Sequence, residues 1–277
     1  MEINFSNVTH YKYYNTEIEQ KILANLNLQI PNNKISALVG SEEKSLIGKM
    51  ICALEMPHVG NVKIGKYILE HKTYIKKINE LRFEVGYAFN NPEDYLIHDT
   101  VKEEVEYGMK HFKYKLNKLV EHQKDALKIV GLDESYNLRN PLELSLTEQK
   151  KVMLASILAY NPKVIVLDEF EKGLNYQERK NLIRTLKMLK DKYNRTIIVI
   201  SNDLDFLINF IDFYFVIKNG NVSFNCTKED FFNKSIEEHF QLPQIVDFIH
   251  KARKKGSKLI NYYEINELIK GVYRDVK

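Results

Sequence analysis

Apolar residues along this chain change their period several times, and each change marks an element. Glu2 to Val8 alternates weakly, and Asn25-Leu26-Asn27-Leu28-Gln29-Ile30 alternates cleanly, so both predict strands with one buried face. Pro31-Asn32-Asn33 is a turn. Ile35 to Val39 is a continuous apolar run ending at Gly40. Apolar residues then recur as Ile47, Met50, Ile51 and Leu54, which is helical spacing. The pair forms a strand–loop–helix unit, the setting in which a phosphate loop sits. Gly60 to Ile64 and Phe83 to Phe89 predict further strands.

From Val101 to about Leu132 the pattern is helical and charged. A second helix is predicted near Ser145, because Ser145-Leu146-Thr147-Glu148 spells a capping box ahead of Val152, Leu154 and Ile157. Val164-Ile165-Val166-Leu167 reads as a strand buried on both faces and closes on Asp168-Glu169. An amphipathic helix follows around Tyr176 to Leu189. Then come strand Thr196 to Ile200, a short helix from Asp203, strand Phe213 to Ile217 and a turn at Lys218-Asn219-Gly220-Asn221. Strands alternating with helices predict an α/β fold with a mainly parallel sheet, N-terminal antiparallel strands and an inserted helical subdomain over about 101–160. Domain boundaries are expected at 1–229 for the main body and 230–277 for a C-terminal helical tail, with Leu242, Ile245, Val246 and Ile249 forming either a dimerisation patch or a face packed on the chain's own sheet.

A chain of 277 residues can bury a full core. Its 41 Lys+Arg against 37 Asp+Glu leave a net charge of +4, too small to argue for a nucleic-acid partner. Cys52 and Cys226 give no disulfide framework and are expected to be packed as small apolar groups in a reducing compartment. The N-terminus shows no secretion signal, and no run approaches the roughly 18 uncharged apolar residues of a membrane helix. The expectation is a soluble protein whose membrane association runs through a partner. Abundant Asn, Lys, Ile and Tyr are read as compositional drift.

The chemistry concentrates at Asp168-Glu169. Open α/β sheets place ligands at the carboxyl ends of their strands. In nucleotide hydrolases an Asp there holds Mg²⁺, often through water, and a following Glu can polarise an attacking water. Alone, the hexapeptide Val164 to Glu169 is better read as a buried strand ending in a solvated acidic pair. Its surroundings change that.

In order and spacing the chain resembles an ATP-binding-cassette (ABC) ATPase, more narrowly the ATPase subunits of energy-coupling factor (ECF) importers for vitamins and trace metals. Asn90-Asn91-Pro92-Glu93-Asp94-Tyr95-Leu96 with Thr100-Val101 is similar to the family's Q-loop segment. Leu144-Ser145, Gln149-Lys150-Lys151-Val152 and Asn161-Pro162 resemble the signature helix and the approach to the acidic strand. Leu242-Pro243-Gln244-Ile245-Val246 with Arg253-Lys254-Lys255-Gly256 resembles the subgroup's C-terminal element.

The resemblance implies ATP and Mg²⁺ as cofactors and assigns roles. Gly40, Lys44 and Ser45 stand in the phosphate loop. Ser45 and Asp168 are the metal candidates, Glu169 the candidate base, Asn90 the Q-loop position, Ser145 the signature serine, and Asn202 the position of the switch His. Tyr11 or Tyr13 falls near the adenine-stacking aromatic. Glu93 and Asp94 match acidic positions that meet a membrane subunit and would suit an Arg there. Solvated loops or strand positions are the plainer reading of the acidic pair and the tyrosines.

Departures from the family pattern are as informative. A phosphate loop has the form G-x-x-x-x-G-K-[ST], with glycines that let backbone N–H groups curl around phosphates. Gly40-Ser41-Glu42-Glu43-Lys44-Ser45 is two residues short and lacks the glycine before Lys44. At ~4 Å and an effective dielectric of ~20, a close contact between Glu42 or Glu43 and a phosphate costs about 4 kcal/mol. Leu146, Thr147 and Glu148 replace the signature's glycines and Gln, Asn175 replaces the D-loop Asp, and Phe170 replaces the Pro after the acidic pair. The resulting expectation is a cytoplasmic subunit held at the inner face of the cell membrane. It would be the catalytically degenerate half of a heterodimer with a second ABC ATPase subunit, docked under a membrane-embedded coupling subunit. An active ATPase with a rebuilt phosphate loop, and a scaffold that kept the fold outside transport, remain alternatives.

Overall fold

The computed structural model describes residues 1–112, 114–231 and 242–275. A four-stranded antiparallel sheet has the order β2-β1-β4-β5, built from β1 (Ile3–Lys12), β2 (Gln20–Ile30), β4 (Val59–Ile64) and β5 (Tyr67–Leu69). The second sheet has six strands: β3 (Ile35–Gly40), β6 (Val85–Ala88), β7 (Val164–Asp168), β8 (Thr196–Ile200), β9 (Phe213–Lys218) and β10 (Asn221–Thr227). Its order is β10-β9-β3-β8-β7-β6, parallel throughout except for the β9–β10 hairpin at one edge. The mainly parallel sheet expected from the alternating pattern is therefore present.

Its central strands are buried on both faces, and alternate residues enter different cores. On β7, Ile165 and Leu167 join one cluster while Val164 and Val166 join the other; on β8, Ile197 and Val199 part from Ile198 and Ile200 in the same way. This period-2 division makes the strands aliphatic without a gap. Burying one such side chain contributes about 1.5–3 kcal/mol. One core lies under α1 (Glu43–Ile51) and the antiparallel sheet. The other lies under α3 (Val101–His111), α4 (Leu116–Val130), α5 (Leu146–Ala159) and α6 (Tyr176–Tyr193).

Three local expectations change. Helix α2 (Ile75–Glu84) takes the start of the predicted strand at Phe83, so β6 begins only at Val85. Of α2 only Leu81 is buried, so its apolar stripe is too thin to stand out from the charged residues around it. In the tail, α7 (Gln244–Lys254) turns Ile245, Val246 and Ile249 into the main core, so packing on the chain's own body replaces the proposed dimerisation patch for these three residues. A further helix, α8, spans Ile265–Asp275. Residues 232–241 of the expected tail element lie outside the described residues. Asn also has a structural use: Asn7, Asn15, Asn25, Asn33, Asn161, Asn194 and Asn219 all adopt positive φ. Asn tolerates that conformation better than most non-glycine residues, which gives part of its abundance a conformational reason.

Candidate nucleotide site at the carboxyl edge of the sheet

The ends of β3, β7 and β8 and the start of α1 meet at one edge. Gly40 closes β3 with φ +107°, and a Cβ there would lie 2.1 Å from the Ile217 carbonyl oxygen, so only glycine fits. The following turn is hydrogen-bonded to the chain itself. Ser41 N–H and Oγ–H both donate to Ile217 O (2.9 and 3.1 Å), Lys44 N–H donates to Ser41 O, and Ser45 N–H donates to Glu42 O. Asn202, just beyond β8, grips Gly40 at two points: its Oδ1 accepts from Gly40 N–H at 2.8 Å and its Nδ2 donates to Gly40 O at 2.9 Å. Of the turn's six backbone N–H groups, those of Gly40, Ser41, Lys44 and Ser45 thus have partners within the chain.

Lys44 is buried, with its ammonium 3.5 Å from Gly40 O and 3.8 Å from Glu169 Oε1. Lys172 pairs with the other oxygen of Glu169, so the candidate base lies between two cations. Glu169 itself is left-handed at φ +48°, a conformation that costs roughly 1–2 kcal/mol for a residue with a Cβ. Its N–H donates to Ile200 O at 2.8 Å, which fixes the turn out of β7 against the end of β8.

Asp168 is buried at the tip of β7. Ser45 Oγ–H donates to its Oδ1 at 2.9 Å and the Tyr87 hydroxyl donates to its Oδ2 at 2.5 Å. Ser45 reaches it because Gly48 lets α1 lie close on the sheet; a Cβ at Gly48 would meet Ile200 Cδ1 at 2.4 Å. Burial, reinforced by the Asp168 charge, pushes the Tyr87 phenol far up, so it remains a donor.

The structure thus brings Gly40, Lys44, Ser45, Asp168, Glu169 and Asn202 together and leaves the other predicted residues elsewhere. Asn90, Glu93 and Asp94 are exposed on the segment after β6. Tyr13 is half-exposed in a turn with φ +55°. Ser145 caps α5 in a complete capping box: its Oγ–H donates to Glu148 Oε2 (2.6 Å), which also accepts from Ser145 N–H (2.9 Å), while Glu148 N–H donates back to Oγ. Tyr136 adds a hydroxyl to Glu148, and hydrogen bonds from Ser145 and Tyr136 pull that carboxyl down to about 2. Asn175 caps α6 by accepting from Glu178 N–H.

Two contributors escaped the sequence reading. Tyr87 is one of 17 tyrosines on an apolar strand, with nothing local to single it out. Lys150 had a signal: it precedes Leu154 and Ile157 by four and seven residues, on the apolar stripe of α5. Its ammonium is buried and donates to Phe170 O (2.9 Å) and Lys172 O (2.8 Å), tying α5 to the loop that carries Glu169. Desolvation brings it down to about 8. Among the described residues no group of His, Cys, Asp and Glu is arranged to hold a metal by itself, and no helix is long and apolar enough to cross a membrane.

A mainly parallel sheet with a phosphate-loop position, an acidic strand tip and a capped signature-type helix defines an ATP-binding-cassette fold. The ABC transporter profile matches residues 23–171, and the chain belongs to that family. Two relatives carry the name energy-coupling factor transporter ATP-binding protein EcfA2. That of Staphylococcus aureus (strain MRSA252) is 30% identical, covering 99% of this chain and 98% of the relative. That of Enterococcus faecalis (strain ATCC 700802 / V583) is 31% identical, covering 92% and 90%. Among solved structures, cbiO1 from Clostridium perfringens, part of the ABC transporter complex cbiONQ, shares the fold with a TM-score of 0.74 at 22% identity, covering 90% of this chain and 98% of that one. The cassette MJ0796, in a dimeric post-hydrolysis state bound to ADP and Pi, gives 0.74 at 25% identity, covering 82% and 98%. Membership in the family implies nucleotide binding with Mg²⁺.

Proposed function

We propose that this chain is an ATPase-type subunit of an ECF-type importer for vitamins or trace metals, and that it is the half whose own phosphate loop takes up little or no nucleotide. The names of its relatives support the transporter assignment. The two-point contact between Asn202 and Gly40 carries the second part. A loop that binds phosphate must present free N–H groups and a reaching Lys. Here four N–H groups have partners in the chain, Lys44 is turned toward Gly40 O and Glu169, and Glu42 and Glu43 add negative charge.

Ser45 and Asp168 are a donor set that suits Mg²⁺, which would supply charge neutralisation to phosphate oxygens; the loop beside them does not suit the phosphates. Asn202 holds Gly40 by neutral hydrogen bonds and has no proton to shuttle. The chain's contribution would therefore be mechanical: a rigid body, paired with a second, complete ABC ATPase and seated through Glu93 and Asp94 under a membrane-embedded coupling subunit. Its place in the cell would be cytoplasmic, against the inner face of the membrane.

The test is calorimetric titration of the purified chain with Mg²⁺–ATP, beside Lys44→Ala and Asp168→Ala. No binding at millimolar nucleotide is expected. Micromolar binding lost in both variants would overturn the closed loop and favour an active ATPase, a reading supported by the close approach of Lys44, Ser45, Asp168 and Glu169.

A further inference from the structure

Asp168 is buried at the tip of β7, and among the described residues it has no ion pair of its own. Among the described residues the nearby cations Lys44 and Lys172 form their ion pairs with Glu169. A buried carboxylate that lacks a cation needs strong donors on both oxygens. Asp168 has one on each: a hydroxyl from α1 on Oδ1 and a hydroxyl from β6 on Oδ2. The second is set by the fold. The Tyr87 ring meets Phe89 edge to face at 4.8 Å and reaches within 3.3 Å of the position a Cβ would take on Gly48, so its hydroxyl is aimed by packing on two sides.

We propose that Tyr87 is a positioning residue, a hydroxyl clamp on Asp168 Oδ2 that, with Ser45 on Oδ1, ties α1, β6 and β7 together and competes with a divalent cation for that oxygen. The clamp gives the acidic strand tip a role that does not depend on catalysis. It also sets an obstacle to metal, because a cation or its bound water meeting Oδ2 must first displace a hydrogen bond to a charged acceptor. The inference rests on the proposed reading only in taking Ser45 and Asp168 as the metal pair. It is independent of whether the phosphate loop is closed, and its test contains no nucleotide.

The experiment is thermal unfolding of the full chain and of Tyr87→Phe, each with EDTA and with about 10 mM MgCl₂, a concentration at which a millimolar site becomes visible as a stability gain. The wild type is expected to melt at the same temperature in both. Tyr87→Phe is expected to melt several degrees lower in EDTA and to recover at least half of that loss in Mg²⁺, while the response disappears in Tyr87→Phe/Asp168→Asn, where the charge is gone. Mn²⁺ binding followed by electron paramagnetic resonance should be roughly tenfold tighter in Tyr87→Phe than in the wild type. Should Tyr87→Phe fold only when purified in Mg²⁺ and unfold on adding EDTA, the clamp is supported in its strongest form. Equal Mg²⁺ stabilisation of both proteins, an unchanged melting temperature in Tyr87→Phe, or insolubility that Mg²⁺ does not relieve would overturn it.

Discussion

The turn from Gly40 to Ser45 and the start of α5 both present backbone N–H groups that need acceptors, and the chain satisfies them by different physical routes. The turn closes on itself: Asn202 holds Gly40, Ser41 binds Ile217, and Lys44 turns toward Gly40 O and Glu169. The helix start is closed by side chains instead, with Ser145 and Glu148 satisfying each other in a capping box. A loop that binds ligand through backbone N–H groups can lose function by satisfying them internally. A helix N-terminus cannot do without an acceptor, and here Ser145 supplies one.

That contrast predicts unequal sensitivity. Gly40→Ala should be the most damaging single change at the edge, because the Cβ overlaps Ile217 O and φ +107° is foreign to alanine. A loss of more than about 3 kcal/mol, or failure to fold, is expected by chemical denaturation. A Gly40→Ala protein of near wild-type stability would mean that the loop is pliable, and the contrast with the helix start would collapse.

The next effect is read by pH and sharpens how the loop is tied to the helix. Lys150 ties α5 to the loop after β7 through Phe170 O and Lys172 O, and that loop carries the Glu169 that pairs with Lys44; burial holds the folded value of Lys150 near 8 against an ordinary 10.5. Between those values the unfolded chain binds the extra proton, so wild-type stability should rise with pH across the window. Relative to Lys150→Met, which has no such proton, the gain should reach as much as about 3 kcal/mol on going from pH 8 to pH 10.5. Parallel curves for the two proteins would show that the ammonium sits in a wetter place than its burial indicates.

What was legible in the sequence follows the same division. Periodic signals are local, so the strands ending at Gly40 and Asp168 and the capping box at Ser145 could be read directly. The convergence of Ser45, Asp168, Lys44 and Glu169 came from the order of motifs. Tyr87 and the Asn202–Gly40 contact join positions 81 and 162 residues apart and leave no local trace. Helix α2 hid because its buried stripe is one residue wide, and the tail's apolar spacing is the same whether it meets a partner or its own core.

The smallest expected effect lies at the capped helix and decides whether the cap is structural. Ser145→Ala removes the acceptor for Glu148 N–H and a donor to Glu148, and should cost about 1 kcal/mol, the usual worth of an N-cap. The pH dependence separates this from a general packing defect. Hydrogen bonds from Ser145 and Tyr136 hold Glu148 near 2, below its ordinary 4.5. The stability this gives is therefore fully present above about pH 4.5 and disappears as pH falls toward 2. Because Glu148 is partly solvated, less than the full shift will be felt as free energy. The penalty of Ser145→Ala should accordingly shrink between pH 5 and pH 2.5, by roughly half, as the wild type loses the same interaction. A penalty that stays constant through acid would place the cost in packing around Leu146, and a penalty of zero would mean that solvent replaces the serine as readily as Glu148 does.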